Sequence, residues 1–394
     1  MLRLLRSTPE FRRLFLAHTV SRAGDAFNTV ALVVAVFDLT GSGLGVAGAV
    51  MFEVLPVLVL GPVAGLAADR LPRRRVMVGA DLFRAAVALA LVFGAGSVGV
   101  AYAVAFGLSA GAVLSNPAAG SLLPEVVGED EVVTANSALW TTAVVAQIAL
   151  APLAGLVITR YGVEVAFGLN SATFAASALL LVGLRAGRTP ADLAERGWAG
   201  ALGGVRAVRA DPLLRRLAVV QVLASMSAGA TGGLLVVLAE RRLGVGPSGF
   251  GALLAAIGIG AAMGPLLVRR FVRPADKRWL FGPFAVRGGV DLTLATVANP
   301  LVAGGTLVVY GVSTSTGMVA YQSTLQTLVA PETRGRVFAF YDVAWNTVRL
   351  LSLAAGGAVA ELADVRVVYA ASGLLFLVAA AVGLRTRIEP SSRG

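Results

Sequence analysis

Apolar residues along this chain come in blocks of about twenty, separated by short joints rich in arginine, glycine and proline. A helix needs about twenty such residues to cross roughly 30 Å of hydrocarbon. The blocks predict an all-α membrane protein with about twelve transmembrane helices. In the first half they cover 14–38, 44–68, 76–97, 99–122, 133–159 and 163–184. In the second they cover 214–239, 247–270, 279–298, 301–328, 336–361 and 366–385. The longest polar stretch, Arg185 to Pro212, lies between the halves. It reads as a flexible linker or, over Leu193 to Val208, as an amphipathic helix lying on the membrane surface. The expected organisation is therefore a six-helix half over 1–184, a linker over 185–212, and a second half with a short tail over 213–394.

One joint is more specific than the rest. It reads Gly61-Pro62-Val63-Ala64-Gly65-Leu66-Ala67-Ala68-Asp69-Arg70-Leu71-Pro72-Arg73-Arg74-Arg75. A small-residue helix face ends in Asp-Arg, turns at Leu-Pro and re-enters the membrane behind three arginines. Glycines allow close helix contact, and arginines hold such a turn on the cytoplasmic side. With both termini cytoplasmic, 25 of the 33 Lys and Arg residues fall on that side. Four fall outside (Arg160, Arg241, Arg242, Arg366) and four within spans (Arg22, Arg84, Arg287, Arg349). The opposite orientation would invert a heavy bias.

The halves repeat. Phe11-Arg12-Arg13-Leu14 precedes the first helix and Leu214-Arg215-Arg216-Leu217 the seventh, an offset of 203 that also pairs Arg84 with Arg287. Leu123-Pro124-Glu125 after the fourth helix resembles Ala330-Pro331-Glu332 after the tenth. Six spans separate equivalent points, an even number, so the halves are parallel repeats. Two such halves joined by a basic linker are the organisation of a transporter.

Composition narrows the chemistry. Residues are 57% hydrophobic and only 14% charged, with mean hydropathy +0.81, against about a quarter charged in soluble domains. The net charge of +11 sits in clusters between spans, which reads as a topology signal and not as a nucleic-acid face. There is no cysteine, and His18 is the only histidine, so thiolate catalysis, disulfides and a histidine metal centre are not expected. The arginine-rich N-terminus leads into a span of more than twenty residues, expected to be a retained helix and not a cleaved signal. No nucleophile–base pair or nucleotide loop is present, so an enzyme is not expected.

Polar residues inside the spans are the candidates for mechanism. In the first helix His18, Arg22, Asp25 and Thr29 are spaced 4, 3 and 4 apart, one face about 16 Å long. Ionisable groups in a bilayer face a water-filled cavity or each other. Asp25 is thus a candidate for proton exchange with Arg22 beside it; the alternative is a static Arg22–Asp25 pair. Glu53 has no charged neighbour within a turn. It is expected to spend much of its time protonated, either as a proton or cation site or as a neutral acid bonded to a neighbouring helix. Asn136, Trp140 and Gln147 share one face of the fifth helix, and Ser315, Gln322 and Gln326 one face of the tenth. These suit a cavity for an amphipathic ligand, or interhelical hydrogen bonds. In the eleventh helix Asp342, Asn346 and Arg349 share a face, with Trp345 adjacent. Asp81 with Arg84, and Arg287 with Asp291, read as intrahelical neutralisation. The run Gly258-Ile-Gly260-Ala-Ala-Met-Gly264-Pro265 reads as a close-packing face.

The joint Gly65-Leu-Ala-Ala-Asp69-Arg70-Leu-Pro-Arg73-Arg74-Arg75 resembles the signature loop between helices 2 and 3 of the major facilitator superfamily, and the resemblance covers nearly the whole chain. Within it, the chain is most similar to the branch of enterobactin and macrolide exporters, through Phe11-Arg12-Arg13-Leu14, Ser21-Arg-Ala-Gly24-Asp25, Leu39-Thr40-Gly41-Ser42, Thr134-Ala135-Asn136-Ser137 and Gly335-Arg336-Val337-Phe338. There are two departures. The exporter-associated Gly-Pro of helix 5 is here Ala151-Pro152-Leu153-Ala154-Gly155, and Ala101 to Leu122 lacks the arginine common in helix 4 of proton antiporters.

The resemblance implies a major facilitator fold in which helices 2, 5, 8 and 11 join the halves. It makes Gly61, Gly65, Asp69, Arg70, Arg73 and Arg74 a gating motif, with Asp342 its expected counterpart in a charge latch, or packed there without switching. It implies export of hydrophobic or amphipathic small molecules by alternating access, with proton antiport. Import or lipid flipping stays open beside it, and so does a non-transporting sensor or scaffold. Expected partners are a small-molecule substrate, protons and the lipid bilayer, with no cofactor, no metal and no nucleic acid. The chain is expected to act as a monomer in a bacterial cytoplasmic membrane.

Overall fold

The computed structural model describes residues 2–94, 96–128, 131–185, 205–206, 208–271, 277–329 and 331–385. Among them there are helices and no strands. A short helix α1 (Leu2–Ser7) leads into α2 (Pro9–Thr40), α3 (Gly43–Arg70), α4 (Arg73–Gly94), α5 (Val98–Val127), α6 (Val132–Tyr161) and α7 (Val163–Val182). Then follow α8 (Pro212–Gly233), α9 (Leu235–Arg241), α10 (Pro247–Phe271), α11 (Lys277–Thr296), α12 (Pro300–Leu328), α13 (Pro331–Leu362) and α14 (Val365–Leu384). The proposed surface helix from Leu193 lies outside the described residues except at 205–206 and 208.

Hydropathy locates the membrane more closely than it locates helix ends. The first apolar block opens at Leu14, yet α2 begins at Pro9 and takes in Glu10, Arg12 and Arg13. At 32 residues it is about 48 Å long, well beyond the hydrocarbon thickness, so its first turns carry charge outside the apolar layer. Gly41 ends it in the left-handed region (φ 58°), donating its N–H to the Phe37 carbonyl at 2.7 Å. The block expected as one helix over 214–239 is two, with a break at Leu234 after Gly232 and Gly233. Ten described helices are long and apolar enough to cross a membrane. The other long ones are α8 and α11, and α11 carries Lys277, Arg278, Arg287 and Asp291.

The chain divides into two compact units. One covers Met1–Gly41, Ala49–Gly197 and Gly246–Ala252; the other covers Ser42–Gly48, Trp198–Val245 and Leu253–Gly394. In the first, α2 packs on α5, α6 and α7, and α4 packs on α5 and α7. In the second, α8 packs on α13 and α14, and α11 on α12 and α14. The same neighbours recur: first with fifth and sixth, third with fourth and sixth. Cores of phenylalanine and leucine fill each unit, around Phe11, Leu14 and Leu122 in one and Phe281, Phe284 and Phe376 in the other.

Small residues set the closest approaches. A Cβ on Gly264 of α10 would lie 3.0 Å from Ser315 Cβ of α12, and one on Gly311 would lie 2.8 Å from Ala261 N. The glycine run of α10 therefore packs α10 on α12, as helix interfaces in lipid require. In the first unit Gly24 of α2 faces α7, where an added Cβ would lie 2.6 Å from Asn170 Oδ1 and against Thr173 Oγ1. Gly79 of α4 has nothing within 4 Å of its Cβ position. Gly24→Ala should therefore lower the thermal unfolding midpoint in detergent, at a cost of about 1–3 kcal/mol from overpacking. Gly79→Ala should raise it slightly, by helix propensity of under about 1 kcal/mol.

Candidate functional site

Helix α2 brings its polar stripe to the inside of the first unit. Arg22 Nη1 donates to Asp25 Oδ2 at 3.4 Å, and Arg22 Nε to His18 Nε2 at 3.5 Å. Thr29 donates to the Asp25 carbonyl of its own helix, at 2.9 Å. The shortest contact to Asp25 comes from elsewhere: Arg84 Nη2 of α4 reaches Asp25 Oδ1 at 2.7 Å. The intrahelical contact of Arg84 with Asp81 expected from the sequence is present as well. Its Nη1 lies 3.7 Å from Asp81 Oδ1 and 3.5 Å from Ser21 Oγ. Asp81 in turn accepts from Ser177 Oγ of α7 at 2.6 Å.

The surrounding helices are shaped to admit this guanidinium. Its carbon lies 3.8 Å from the centre of the Phe174 ring, a cation–π contact. Gly111 of α5 leaves room for its stem, since a Cβ there would lie 2.9 Å from Arg84 Cδ. The side chains of Arg84 and Asp81 are 9% and 6% exposed, against 26% for Asp25 and 40% for Arg22. A buried arginine thus sits between two carboxylates on two helices, which is how ionised groups are tolerated away from water.

Two cavities meet at this cluster, both within the first unit. The larger, about 560 Å³, is walled by His18, Ser21, Asp81, Asn116 and Ser177 and continues to Leu14, Met77, Leu123 and Leu181. The smaller, about 470 Å³, is walled by Asp25, Asn28, Thr29, Glu53, Ser109 and Gln147. Arg22 and Arg84 line both. Of the residues singled out in the sequence, the smaller cavity therefore gathers Arg22, Asp25, Thr29, Glu53 and Gln147, and the larger takes His18. The side chains of Asn136, Trp140, Gln322 and Gln326 lie outside the described residues.

The remaining candidates lie elsewhere. In the second unit Asn346 Nδ2 donates to the Asp342 carbonyl at 2.9 Å, and the Trp345 carbonyl accepts from Ser225 Oγ of α8 at 2.7 Å. The Arg349 carbonyl packs on Gly229, where a Cβ would lie 2.8 Å from it. Ser315 bonds the carbonyls of Gly311 and Val312 in its own helix. Asp342 is exposed. Within the gating motif, Gly61, Gly65, Asp69 and Arg70 lie on α3, and the side chains of Asp69 and Arg70 are outside the described residues. Arg73 is buried and paired with Glu125 at the end of α5, and Arg74 Nη1 donates to the Leu184 carbonyl at 2.7 Å. Both partners belong to the first unit.

Arg287 makes aromatic contacts beyond the intrahelical pairing expected of it. It lies over the Phe376 ring at 4.1 Å and the Tyr310 ring at 4.8 Å, and donates to Tyr310 Oη at 2.9 Å. The repeat held the clue: Arg84 and Arg287 are 203 residues apart, and Phe174 and Phe376, the rings beneath them, 202.

A family model described as transmembrane secretion effector matches residues 5–393. The chain is 27% identical to YfiS, an uncharacterized MFS-type transporter of Bacillus subtilis (strain 168), over 98% of this chain and 94% of that one. It is 29% identical to the multidrug efflux pump Tap of Mycolicibacterium fortuitum, over 94% of each. Among solved structures it resembles the nucleoside transporter NupG, with TM-score 0.78 and 13% identity over 95% of this chain and 98% of that one. It also resembles a bacterial homologue of the iron transporter ferroportin, with TM-score 0.75 and 18% identity over 98% and 99%. At such identities the solved structures speak for the fold alone.

The two arginines at the cluster should differ sharply when removed. Arg84→Gln leaves Asp81 and Asp25 short of a buried cation and should destabilise by about 3–5 kcal/mol. Arg22→Gln removes a half-exposed partner and should cost under about 1 kcal/mol. Thermal unfolding of the purified variants, followed by tryptophan fluorescence, measures both.

Proposed function

We propose an export function from the premise that this chain belongs to the transmembrane secretion effector family, one of the major facilitator superfamily of membrane transporters. It is a multi-span helical membrane protein and not an enzyme. Our reading is a secondary exporter of hydrophobic or amphipathic small molecules that exchanges them for protons. The halves over 1–184 and 213–394, joined by the linker 185–212, would alternate access to the cargo, with the termini in the cytoplasm.

The observation that carries this reading is the smaller cavity. Two carboxyl groups, Asp25 and Glu53, face one space together with the amides of Asn28 and Gln147 and the guanidinium groups of Arg22 and Arg84. A carboxylate that a proton neutralises and a cationic or hydrogen-bonding ligand also occupies gives competition between the two, which is what antiport needs. Amides and short hydroxyls fix orientation without demanding one ligand shape. Similarity to a protein named as a multidrug efflux pump favours the same cargo class. The polar side chains that this chain keeps in its spans are costly there unless they serve such a cavity.

Everted membrane vesicles containing the protein, energised by respiration, should accumulate ethidium or erythromycin. A protonophore should abolish this, and Asp25→Asn or Glu53→Gln should reduce it to the level of vesicles lacking the protein. Accumulation that persists without a proton gradient would sink the antiport reading. Transport found only in right-side-out vesicles would make the protein an importer.

A further inference from the structure

Arg22, Arg84, Ala112 and Ala143 line both cavities and form the partition between them, and of these Arg84 has an acid on each side. Asp25 lines the smaller cavity and Asp81 the larger, while Arg84 lines both. Arg84 Nη2 is 2.7 Å from Asp25 and its Nη1 3.7 Å from Asp81, so the guanidinium is now committed to Asp25 and within a small rotation of Asp81. The Phe174 ring beneath it attracts the cation without fixing its rotation in the plane. Ser177 Oγ, 2.6 Å from Asp81 Oδ2, holds that carboxylate in place whichever way Arg84 turns.

We propose that Asp81 is a second proton-carrying residue of the transport cycle, and that Arg84 exchanges between Asp25 and Asp81 as one proton passes from the smaller cavity to the larger. The proposal rests on the antiport reading above. The steps balance as follows. Water in the smaller cavity gives a proton to Asp25, which releases Arg84 to Asp81. The proton then moves from the Asp25 carboxyl to the Asp81 carboxylate as Arg84 returns to Asp25. Asp81 gives the proton to water in the larger cavity and the starting state is restored. One proton has crossed the partition and no other bond has changed.

The direction agrees with export. The larger cavity continues to Leu14, Met77, Leu123 and Leu181, the end of the first unit where Arg73 and Arg74 lie, expected to be cytoplasmic from the arginine bias. The charged and titratable groups facing Arg84 are His18, Arg22 and Asp25 of α2, Asp81 of α4 and, across the smaller cavity, Glu53 of α3. The described cavity residues of α5, α6 and α7, among them Ser109, Asn116, Gln147 and Ser177, are uncharged. The second unit keeps the arginine and the ring, Arg287 over Phe376, but the residues 203 further on from Asp25 and Asp81 are Ala228 and Phe284. The two-acid arrangement belongs to one half.

The test uses the full-length protein in lipid nanodiscs, with carboxyl infrared bands followed against pH in wild type, Asp25→Asn and Asp81→Asn. Two acids that share one cation titrate together, so removing either should move the midpoint of the other by about 1 pH unit or more. In proteoliposomes Asp81→Asn should keep ethidium exchange in the absence of a gradient and lose accumulation driven by a pH gradient. Ser177→Ala, a milder change, should move the Asp81 midpoint and the pH optimum of transport together. Independent midpoints, with gradient-driven transport by Asp81→Asn at the wild-type rate, would overturn the proposal and leave antiport standing. If Asp81→Asn does not fold, an unmoved midpoint in Ser177→Ala overturns it alone. Wild-type protein that ignores the gradient would instead remove the antiport reading.

Discussion

A guanidinium group cannot shed its charge in a protein, and hydrocarbon cannot hydrate it. Once Arg84 is placed inside a helical bundle, its neighbours are constrained. A carboxylate has to reach it from another helix, so α2 presents Asp25. Its stem needs a gap, so α5 has Gly111 opposite. The flat face of the cation needs a surface other than lipid, which Phe174 of α7 supplies. For α2 and α7 to come close enough, α2 has Gly24 where they meet, against Asn170 and Thr173. One buried cation on α4 thus accounts for residue choices on three other helices, and these four helices enclose much of the space from which the cavities are formed.

The second unit sets the same scaffold around a second buried arginine, Arg287. It repeats the pairing of helices and the stacking of an arginine on a phenylalanine, so backbone and packing are shared between the halves. Its arginine, however, turns to the hydroxyl and ring of Tyr310, where the first unit's meets Asp25. A phenol holds a guanidinium by a hydroxyl acceptor and a ring face. Asp25 and Asp81 are carboxylates, and each lines a cavity. The two units thus share a frame and differ in the side chains that meet its arginine.

Much of this architecture was legible in the sequence, and the limits have physical causes. Blocks of apolar residues mark the part of each helix that lies in hydrocarbon, so all but one were seen as single elements. Ends such as Pro9 and Pro331 were missed by about five residues because the outer turns are polar and helical at once. The break at Leu234 escaped because its flanks are apolar on both sides, and a glycine pair is common in membrane helices. The stripe His18–Arg22–Asp25–Thr29 was legible because period 3.6 is intrinsic to one helix. The reach of Arg84 to Asp25 was not, since periodicity says which residues share a face and never which helix that face meets. The repeat offers the missing sign: an arginine and a phenylalanine recur at nearly one offset, and in each unit the arginine stacks on that ring.

The arginines that reported topology also have a structural use. Helix α7 ends at Val182, and a helix end leaves its last carbonyls without partners. Arg13 from α2 donates to the Gly183 carbonyl and Arg74 from α4 to that of Leu184, while Glu10 accepts from the Arg185 backbone N–H at 2.7 Å. Beside them Arg73 is paired with Glu125. These cations satisfy groups that would otherwise be orphaned and sit favourably at the negative end of the α7 dipole. A bias maintained only to orient the chain would need charge anywhere in the joint. Here two of its three arginines are held by named partners on two other helices, while Arg75 is exposed. Position within the joint therefore matters as well as sign, and the end of the first unit at which the larger cavity continues is tied by ion pairs and caps that extend from α2 through α4 to α5 and α7.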